Sequence, residues 1–277
     1  MWCTLPTPLR RKLHALVLTA VPIVAATFAS GCVAIAPQRF SSFSTPAPLP
    51  RDSWLIIGFL GGAEHWDSEV REVRKLVLDL RTRNLLGVHA ETVENHRRGL
   101  AMKLVEKAFD RNGDGTLDPA ECAAARIILY GHSFGGAAVV KFARELKARG
   151  IPVSLTAQVD IIGVDGALIP ANVSRAVNFY QRNALLLKGR RIHAEDPART
   201  VILGNFRIEL EGRKSDVPHP GVRRIETFFG GAHTQLGFDH DVWQRVEEYI
   251  LAEIHQSELR GSPDLSENPR RSEPPRR

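Results

Sequence analysis

The sequence contains very little cysteine, with three residues in a chain of 277. Two of them, Cys3 and Cys32, stand near the N-terminus, which leaves Cys122 alone in the central region. A framework of internal disulfides is therefore excluded. A lone cysteine in a domain of this size is more often a small buried hydrophobe than a nucleophile.

The central region also lacks net charge, although the whole chain has a formal net charge of +6. Five basic residues and no acidic residue precede Asp52, and from Ser257 onward five arginines stand beside four acidic residues. The stretch 52–256 is therefore neutral overall. Because a basic face is the electrostatic signature of nucleic-acid binding, we expect no nucleic-acid partner for the folded region.

The N-terminus has the pattern of an export signal, assigned to residues 1–32. A basic cluster at Arg10-Arg11-Lys12 precedes an apolar run from Leu13 to Ala29, and small residues follow it. Ala29-Ser30-Gly31-Cys32 resembles a bacterial lipoprotein box, with Ala29 where that family usually has Leu. The resemblance implies lipidation of Cys32 and membrane anchoring through the N-terminus. An ordinary cleaved signal and an uncleaved anchor are the alternatives.

Composition divides the rest of the chain into three parts. Residues 33–51 are rich in proline and serine and are predicted to form a flexible tether. Residues 257–277 have almost no apolar content and are predicted to be a disordered tail. The stretch 52–256 has the apolar content of a packed domain.

Strands and helices alternate in that domain. Strands are predicted at 54–60, 85–89, 126–130, 153–160 and 223–228, and helices after a Ser68 cap and at 97–109, 135–149 and 241–254. The stretch 161–222 is less regular and is predicted to cover a pocket as a lid. The alternation predicts an α/β fold whose central sheet is mostly parallel, with helices on both faces.

One motif joins a predicted strand to a predicted helix: Gly131-His132-Ser133-Phe134-Gly135. This G-x-S-x-G pattern is typical of a nucleophile elbow, in which a strained turn lifts the serine hydroxyl out of the sheet. The positions two before and two after the serine lie too close together for side chains, which explains the glycines. The following helix N-terminus favours negative charge beside Ser133.

With this motif and element order, residues 54–253 resemble the α/β-hydrolase superfamily, particularly its lipases and esterases. The resemblance implies an acid and then a histidine later in the chain. Asp160 directly follows the strand after the elbow helix and is the first candidate for the acid, with Asp165 as its rival. His233, in the segment Gly230-Gly231-Ala232-His233, is the first candidate for the base, and His240 is the competitor.

The resemblance also implies the remaining parts of an acyl-transfer site. The backbone N–H of Phe134 and one from Leu60 or Gly61 would form the oxyanion hole. His132 is expected to point away from the triad. No cofactor is expected for catalysis.

A second motif precedes the elbow: residues 110–121 match the pattern D-x-[DN]-x-[DN]-G-x5-E. The loop resembles that of the EF-hand family, which implies a structural Ca²⁺ site. Its ligands would be Asp110, Asn112, Asp114, Thr116, Asp118 and Glu121. The following helix is short and no partner loop is visible, so binding is expected to be weak.

The sequence therefore predicts an exported serine hydrolase that acts on a small-molecule ester or a lipid. A thioesterase or acyltransferase would use the same triad. The alternative from another class is a calcium-binding envelope protein that has lost catalysis on the same scaffold.

Overall fold

The computed structural model describes residues 37–163, 166–184, 187–211, 217 and 224–261. Within these residues, six strands form the central sheet, and every neighbouring pair in it is parallel. The strands are β1 (Trp54–Leu60), β2 (Val88–Glu94), β3 (Arg126–His132), β4 (Val153–Val159), β6 (Val173–Tyr180) and β8 (Val201–Arg207). Their spatial order is β2-β1-β3-β4-β6-β8. Two short strands, β5 (Leu168–Ile169) and β7 (His193–Ala194), form a separate parallel pair.

Helices cover both faces of this sheet. They are α1 (Glu72–Thr82), α2 (Arg98–Phe109), α3 (Pro119–Ala123), α4 (Phe134–Lys147), α5 (Arg224–Gly237) and α6 (His240–Gly261). Apolar residues of α2 and α4 pack on one face, and those of α1 and α6 pack on the other. The α/β prediction is confirmed.

Strand β1 shows why the sheet needs two covering layers. Leu55, Ile57 and Phe59 face the core beneath α2 and α4, whereas Trp54, Ile56 and Leu60 face the core beneath α1 and α6. A strand with apolar side chains on both of its faces must be buried on both sides. The continuous apolar run in the sequence therefore specifies a central position.

Several predicted elements agree with the structure and others need new boundaries. The strands at 54–60, 126–130 and 153–160 and the helices at 97–109 and 135–149 are found within two residues of their predicted ends. The strand predicted at 85–89 instead begins at Val88, because Gly87 turns the chain with a φ of 68°. Ser68 does not cap α1, since its carbonyl closes a turn with Arg71 N–H and the helix begins at Glu72.

Two predictions in the second half of the domain are wrong. The stretch 161–222 is not the irregular segment that the sequence predicted, because β6 and β8 lie within it and complete the sheet. A strand was predicted at 223–228, but its described residues, 224–228, instead begin helix α5, which runs from Arg224 to Gly237. A short apolar run does not by itself distinguish a strand from a buried helix.

The predicted tether is folded from Gln38 onward. The Gln38 side chain donates to the Thr92 carbonyl at 2.6 Å, and Leu49 is buried in the core. The buried carboxylate of Glu91 accepts the N–H and hydroxyl groups of both Ser44 and Thr45 at 2.7–3.0 Å. These contacts cover the outer edge of β2 and fix the segment.

The ends of the chain differ from the prediction in one further way. Helix α6 is continuous to Gly261, so residues 257–261 are not a disordered tail. The predicted signal, residues 1–32, and the rest of the tail lie outside the described residues. Among the helices that the structure describes, none has both the length and the apolarity to span a bilayer.

Candidate active site

Ser133 stands at the sharp turn between β3 and α4. Its φ of 59° and ψ of −123° are strained for a residue with a side chain. A Cβ on Gly135 would overlap the carbonyl oxygen of Phe59, and a Cβ on Gly131 would lie 2.6 Å from the Gly135 carbonyl carbon. Only glycine fits both positions, so the two glycines permit the turn that Ser133 occupies.

His233 contacts Ser133 directly. Its Nε2 atom lies 2.8 Å from Ser133 Oγ, and both side chains are almost completely buried. His233 lies inside helix α5, whereas the sequence predicted a loop. The helix thus fixes the direction of the ring. The competitor His240 begins α6 and is exposed to solvent.

Asp160 completes a chain of three side chains. Its Oδ2 atom lies 2.6 Å from His233 Nδ1, on the ring nitrogen opposite Ser133. Asp160 directly follows β4 and adopts a φ of 48°, which turns its side chain out of the strand direction. The carboxylate is fully buried. The rival acid, Asp165, lies outside the described residues.

Gln181 also contacts Asp160, and sequence reasoning missed it. Its backbone N–H donates to Asp160 Oδ1 at 3.1 Å, and its side-chain amide donates to Oδ2 at 2.8 Å. The same amide group is fixed in turn, since it donates to the Leu187 carbonyl and accepts from the Ala184 N–H. The Asp160 carboxylate therefore accepts hydrogen bonds from Gln181 and contacts His233.

His132 lies against the ring of His233 rather than away from these three side chains, which corrects the expectation. Its ring stacks on His233 with centroids 4.8 Å apart and an interplanar angle of 23°. Burial lowers the pKa of His132 well below its usual range, and the neighbouring His233 and Arg71 lower it further. His132 is therefore neutral at physiological pH, and it adds no positive charge beside the ring of His233.

Ser133 and His233 open on a cavity of about 300 Å³. Its apolar wall includes Val73, Leu187, Phe238 and Trp243, and its charged wall includes Glu64, Arg71 and Glu72. Fully buried Asp160 does not line the cavity. A molecule in this space would therefore meet the serine hydroxyl and the imidazole, but not the carboxylate.

The three residues predicted as oxyanion donors have different positions in the structure. Phe134 lines the cavity at the start of α4, where helix N–H groups have no acceptor within the helix. Leu60 is buried in the sheet, and Gly61 N–H donates to Glu64 Oε2 at 2.9 Å. The next residues, Gly62 and Ala63, line the cavity instead. The Gly61 N–H, one of the expected donors, therefore already has an acceptor within the turn.

The predicted calcium loop is closed by its own hydrogen bonds. Asp110 accepts N–H groups from Gly113 and Gly115, and Asp118 and Glu121 form a reciprocal cap at the start of α3. Glu121 Oε1 also accepts the N–H groups of Arg111 and Asn112. Within the described ranges, no group of three or more His, Cys, Asp or Glu side chains is arranged to hold a metal ion. In this conformation the carboxylates stabilise turns, and calcium binding stays a prediction.

The parallel sheet with helices on both faces, and a serine at the turn from β3 to α4, define the architecture of the α/β-hydrolase fold. No protein-family model matches the chain, and no curated protein matches it either.

Among solved structures, the chain is similar to a cutinase-like protein from Cryptococcus sp., at 12% identity and a TM-score of 0.41, over 76% of this chain and 98% of that chain. It is similar to a putative hydrolase of the alpha/beta superfamily from Xanthomonas campestris pv. campestris, at 13% identity and a TM-score of 0.35, over 72% of this chain and 98% of that chain. It is also similar to an acetylxylan esterase, at 10% identity and a TM-score of 0.36, over 76% of this chain and 100% of that chain. With TM-scores under 0.5 these likenesses carry no argument about activity, so the case for function depends on the side chains of the site.

Proposed function

We propose that this protein is a serine hydrolase that cleaves carboxylic esters, with Ser133, His233 and Asp160 as its catalytic triad. The observation that carries the proposal is the position of the His233 ring. One ring nitrogen lies 2.8 Å from the Ser133 hydroxyl and the other lies 2.6 Å from the Asp160 carboxylate. A nucleophile, a base and a group that orients the base are the parts that acyl transfer to serine requires.

In the proposed mechanism, His233 Nε2 takes the proton of Ser133 Oγ as the oxygen attacks the ester carbonyl carbon. Asp160 keeps the Nδ1 proton in place and stabilises the imidazolium that forms. The N–H of Phe134 stabilises the negative charge on the former carbonyl oxygen. His233 then donates its proton to the leaving alcohol. In the second half of the reaction, His233 takes a proton from the attacking water molecule and returns one to Ser133 Oγ as the acid is released.

The cavity supports a small substrate. Its volume of about 300 Å³ is at the lower end of the range of ligand pockets. The apolar wall suits a short acyl chain, and Ser133 lines this space. We therefore propose that short acyl esters are hydrolysed faster than long ones.

A panel of p-nitrophenyl esters from acetate to palmitate tests the activity and its chain-length preference. Hydrolysis by the wild type and its loss in Ser133→Ala are expected, with Ser174→Ala, an exposed serine on β6, as the matched control. Acyl thioesters in the same panel separate a thioesterase from an esterase. If Ser133→Ala hydrolyses the acetate ester as fast as the wild type, the proposed nucleophile is wrong.

Export remains a proposal that depends on residues 1–32. The basic cluster, the apolar run and Cys32 support translocation and lipid anchoring through the N-terminus. Fractionation of expressing cells tests the proposal, with the envelope fraction expected to hold the wild type and Cys32→Ala released from the membrane. Recovery of the full-length chain from the cytosol would remove it.

Calcium binding by residues 110–121 is proposed as a structural role only, because the loop is outside the cavity that contains Ser133. Titration calorimetry with calcium up to millimolar concentrations tests it, with Asp110→Asn as the comparison. Weak binding heat that disappears in the variant is expected. The absence of heat from the wild type would remove calcium from the account.

A further inference from the structure

The turn after β1 is closed on itself by Glu64. The carbonyl of Gly61 accepts the Glu64 N–H at 3.0 Å, and the N–H of Gly61 donates to the Glu64 carboxylate at 2.9 Å. Glu64 therefore bonds both backbone groups of Gly61. The turn is adjacent to the nucleophile, since a Cβ on Gly61 would lie only 3.3 Å from Ser133 Cβ.

This closure determines the direction of the next N–H group. In a trans peptide the C=O and N–H groups point to opposite sides, so a Gly61 carbonyl directed into the turn directs Gly62 N–H out of it. Gly62 lines the cavity together with Ser133. Its φ of 44° favours glycine, and its carbonyl accepts the Asn95 side-chain amide at 2.6 Å. The peptide groups on both sides of Gly62 Cα are thus fixed.

Arg71 holds the second oxygen of the Glu64 carboxylate. Its Nη1 atom lies 3.1 Å from Glu64 Oε1, and both side chains are about nine-tenths buried. The guanidinium also lies over the Phe238 ring, 5.5 Å from its centroid. Arg71 is the residue before α1, so the helix start and the turn after β1 are joined through one ion pair.

We propose that Gly62 N–H is the second donor of the oxyanion hole and that Glu64, held by Arg71, is the residue that positions it. The proposal depends on the proposed ester hydrolysis and names a part of that site. Glu64 itself does not touch the reacting atoms. It keeps the turn in the geometry that directs a backbone donor toward the developing negative charge, which is where preorganised donors accelerate acyl transfer.

The test compares Glu64→Ala and Glu64→Gln in the hydrolysis of p-nitrophenyl acetate. Glu64→Ala is expected to lower kcat about 10- to 100-fold with KM nearly unchanged, since an oxyanion donor acts in the transition state. Glu64→Gln keeps an oxygen that accepts Gly61 N–H, so it is expected to retain more of the wild-type kcat than the alanine variant. Circular dichroism and a thermal melt establish that each variant is folded.

Two other acidic residues serve as controls. Glu69→Ala removes an exposed carboxylate five residues along the same segment and is expected to leave kcat within about twofold of the wild type. Glu247→Ala removes a carboxylate of α6 that pairs with Arg83 away from the turn, and it is also expected to leave kcat within about twofold. An equal loss of kcat in Glu69→Ala would show that the charge of the segment, not turn geometry, is responsible, and would overturn the proposal.

Two further outcomes are decisive. A wild-type kcat in Glu64→Ala, with Ser133→Ala inactive, would overturn the role of Glu64 and leave the proposed hydrolase activity intact. If Glu64→Ala does not fold, Glu64→Gln and Arg71→Lys carry the test, and unchanged kcat in both would overturn the proposal. Hydrolysis that survives Ser133→Ala would instead remove the proposed function and this inference with it.

Discussion

His233 Nε2 lies 2.8 Å from Ser133 Oγ, although 100 residues separate the two in the sequence. The elbow presents the serine from the end of β3, and helix α5 presents the histidine. Because both side chains are buried and already lie within hydrogen-bond distance, their approach does not await a substrate. This preorganisation is the basis of the predictions that follow.

Gly135→Ala is predicted to destabilise the protein by about 3 kcal/mol or more, because the new Cβ would overlap backbone atoms of Phe59 that cannot move independently of β1. Gly99→Ala, in helix α2 with open space around the new methyl group, is the matched control and is expected to be neutral or slightly stabilising. Chemical denaturation measures both. Equal stability of the two variants would contradict the close approach of β1 and the elbow.

Gln181→Leu is predicted to lower kcat for ester hydrolysis roughly 10- to 100-fold, with a much smaller change in KM. The substitution removes the amide that donates to Asp160 Oδ2, so the backbone N–H of residue 181 and His233 are left as the contacts that orient the carboxylate. Gln244→Leu, at an exposed position of α6, is the control. A folded Gln181→Leu variant with the wild-type kcat would exclude a positioning role.

The site could be predicted from the sequence where it depends on local patterns. Ser133 follows from an apolar strand, two glycines and a helix, and Asp160 follows from its place at the end of the next strand. Each of these two patterns lies within a stretch of about ten residues, so a local reading of the sequence can find it. Gln181 has no such signal, because its contact with Asp160 joins two side chains that are 21 residues apart in the sequence.

The elements of the fold could likewise be predicted where the local sequence pattern is clear, and could not where it is weak. β1 and β3 were correctly predicted because their unbroken apolar runs specify buried parallel strands. In β8, Gly204 and Asn205 interrupt the apolar run of this edge strand, so the sequence pattern is weak. In α5 the run at 223–228 is too short to show its period, and the helix is apparent only when it continues past His233.

The stability of the protein is predicted to fall as the pH drops below about 6.5, partly because of His132. Burial lowers the pKa of His132 in the folded state. Below pH 6.5 this histidine therefore binds a proton in the unfolded chain but not in the folded chain. One such group contributes up to about 1.4 kcal/mol per pH unit.

His132→Phe is therefore expected to show a smaller loss of unfolding free energy between pH 7 and pH 5 than the wild type. His193→Phe, at an exposed position, is expected to keep the wild-type slope. Urea denaturation at several pH values measures both. Identical slopes for His132→Phe and the wild type would show that His132 is protonated in the folded state.

Glu91→Ala is predicted to release the segment from Gln38 to Arg51 from the edge of β2. The substitution leaves the N–H and hydroxyl groups of Ser44 and Thr45 without their shared acceptor. Trypsin is expected to cleave after Arg39 and Arg51 faster in this variant than in the wild type, as measured by mass spectrometry. Glu106→Ala, which removes a surface partner of Arg149, is the control. Rapid cleavage of the wild type at both sites would support the flexible tether that the sequence predicted.

The most direct test of the triad is covalent labelling by a fluorophosphonate, which reacts only with an activated serine. Intact-mass measurement of the wild type is expected to show one added phosphonyl group, located on Ser133 by peptide mapping. Ser133→Ala is expected to remain unlabelled, and His233→Ala is expected to label far more slowly. A wild type that stays unmodified, or a Ser133→Ala variant that labels at the wild-type rate, would contradict the account.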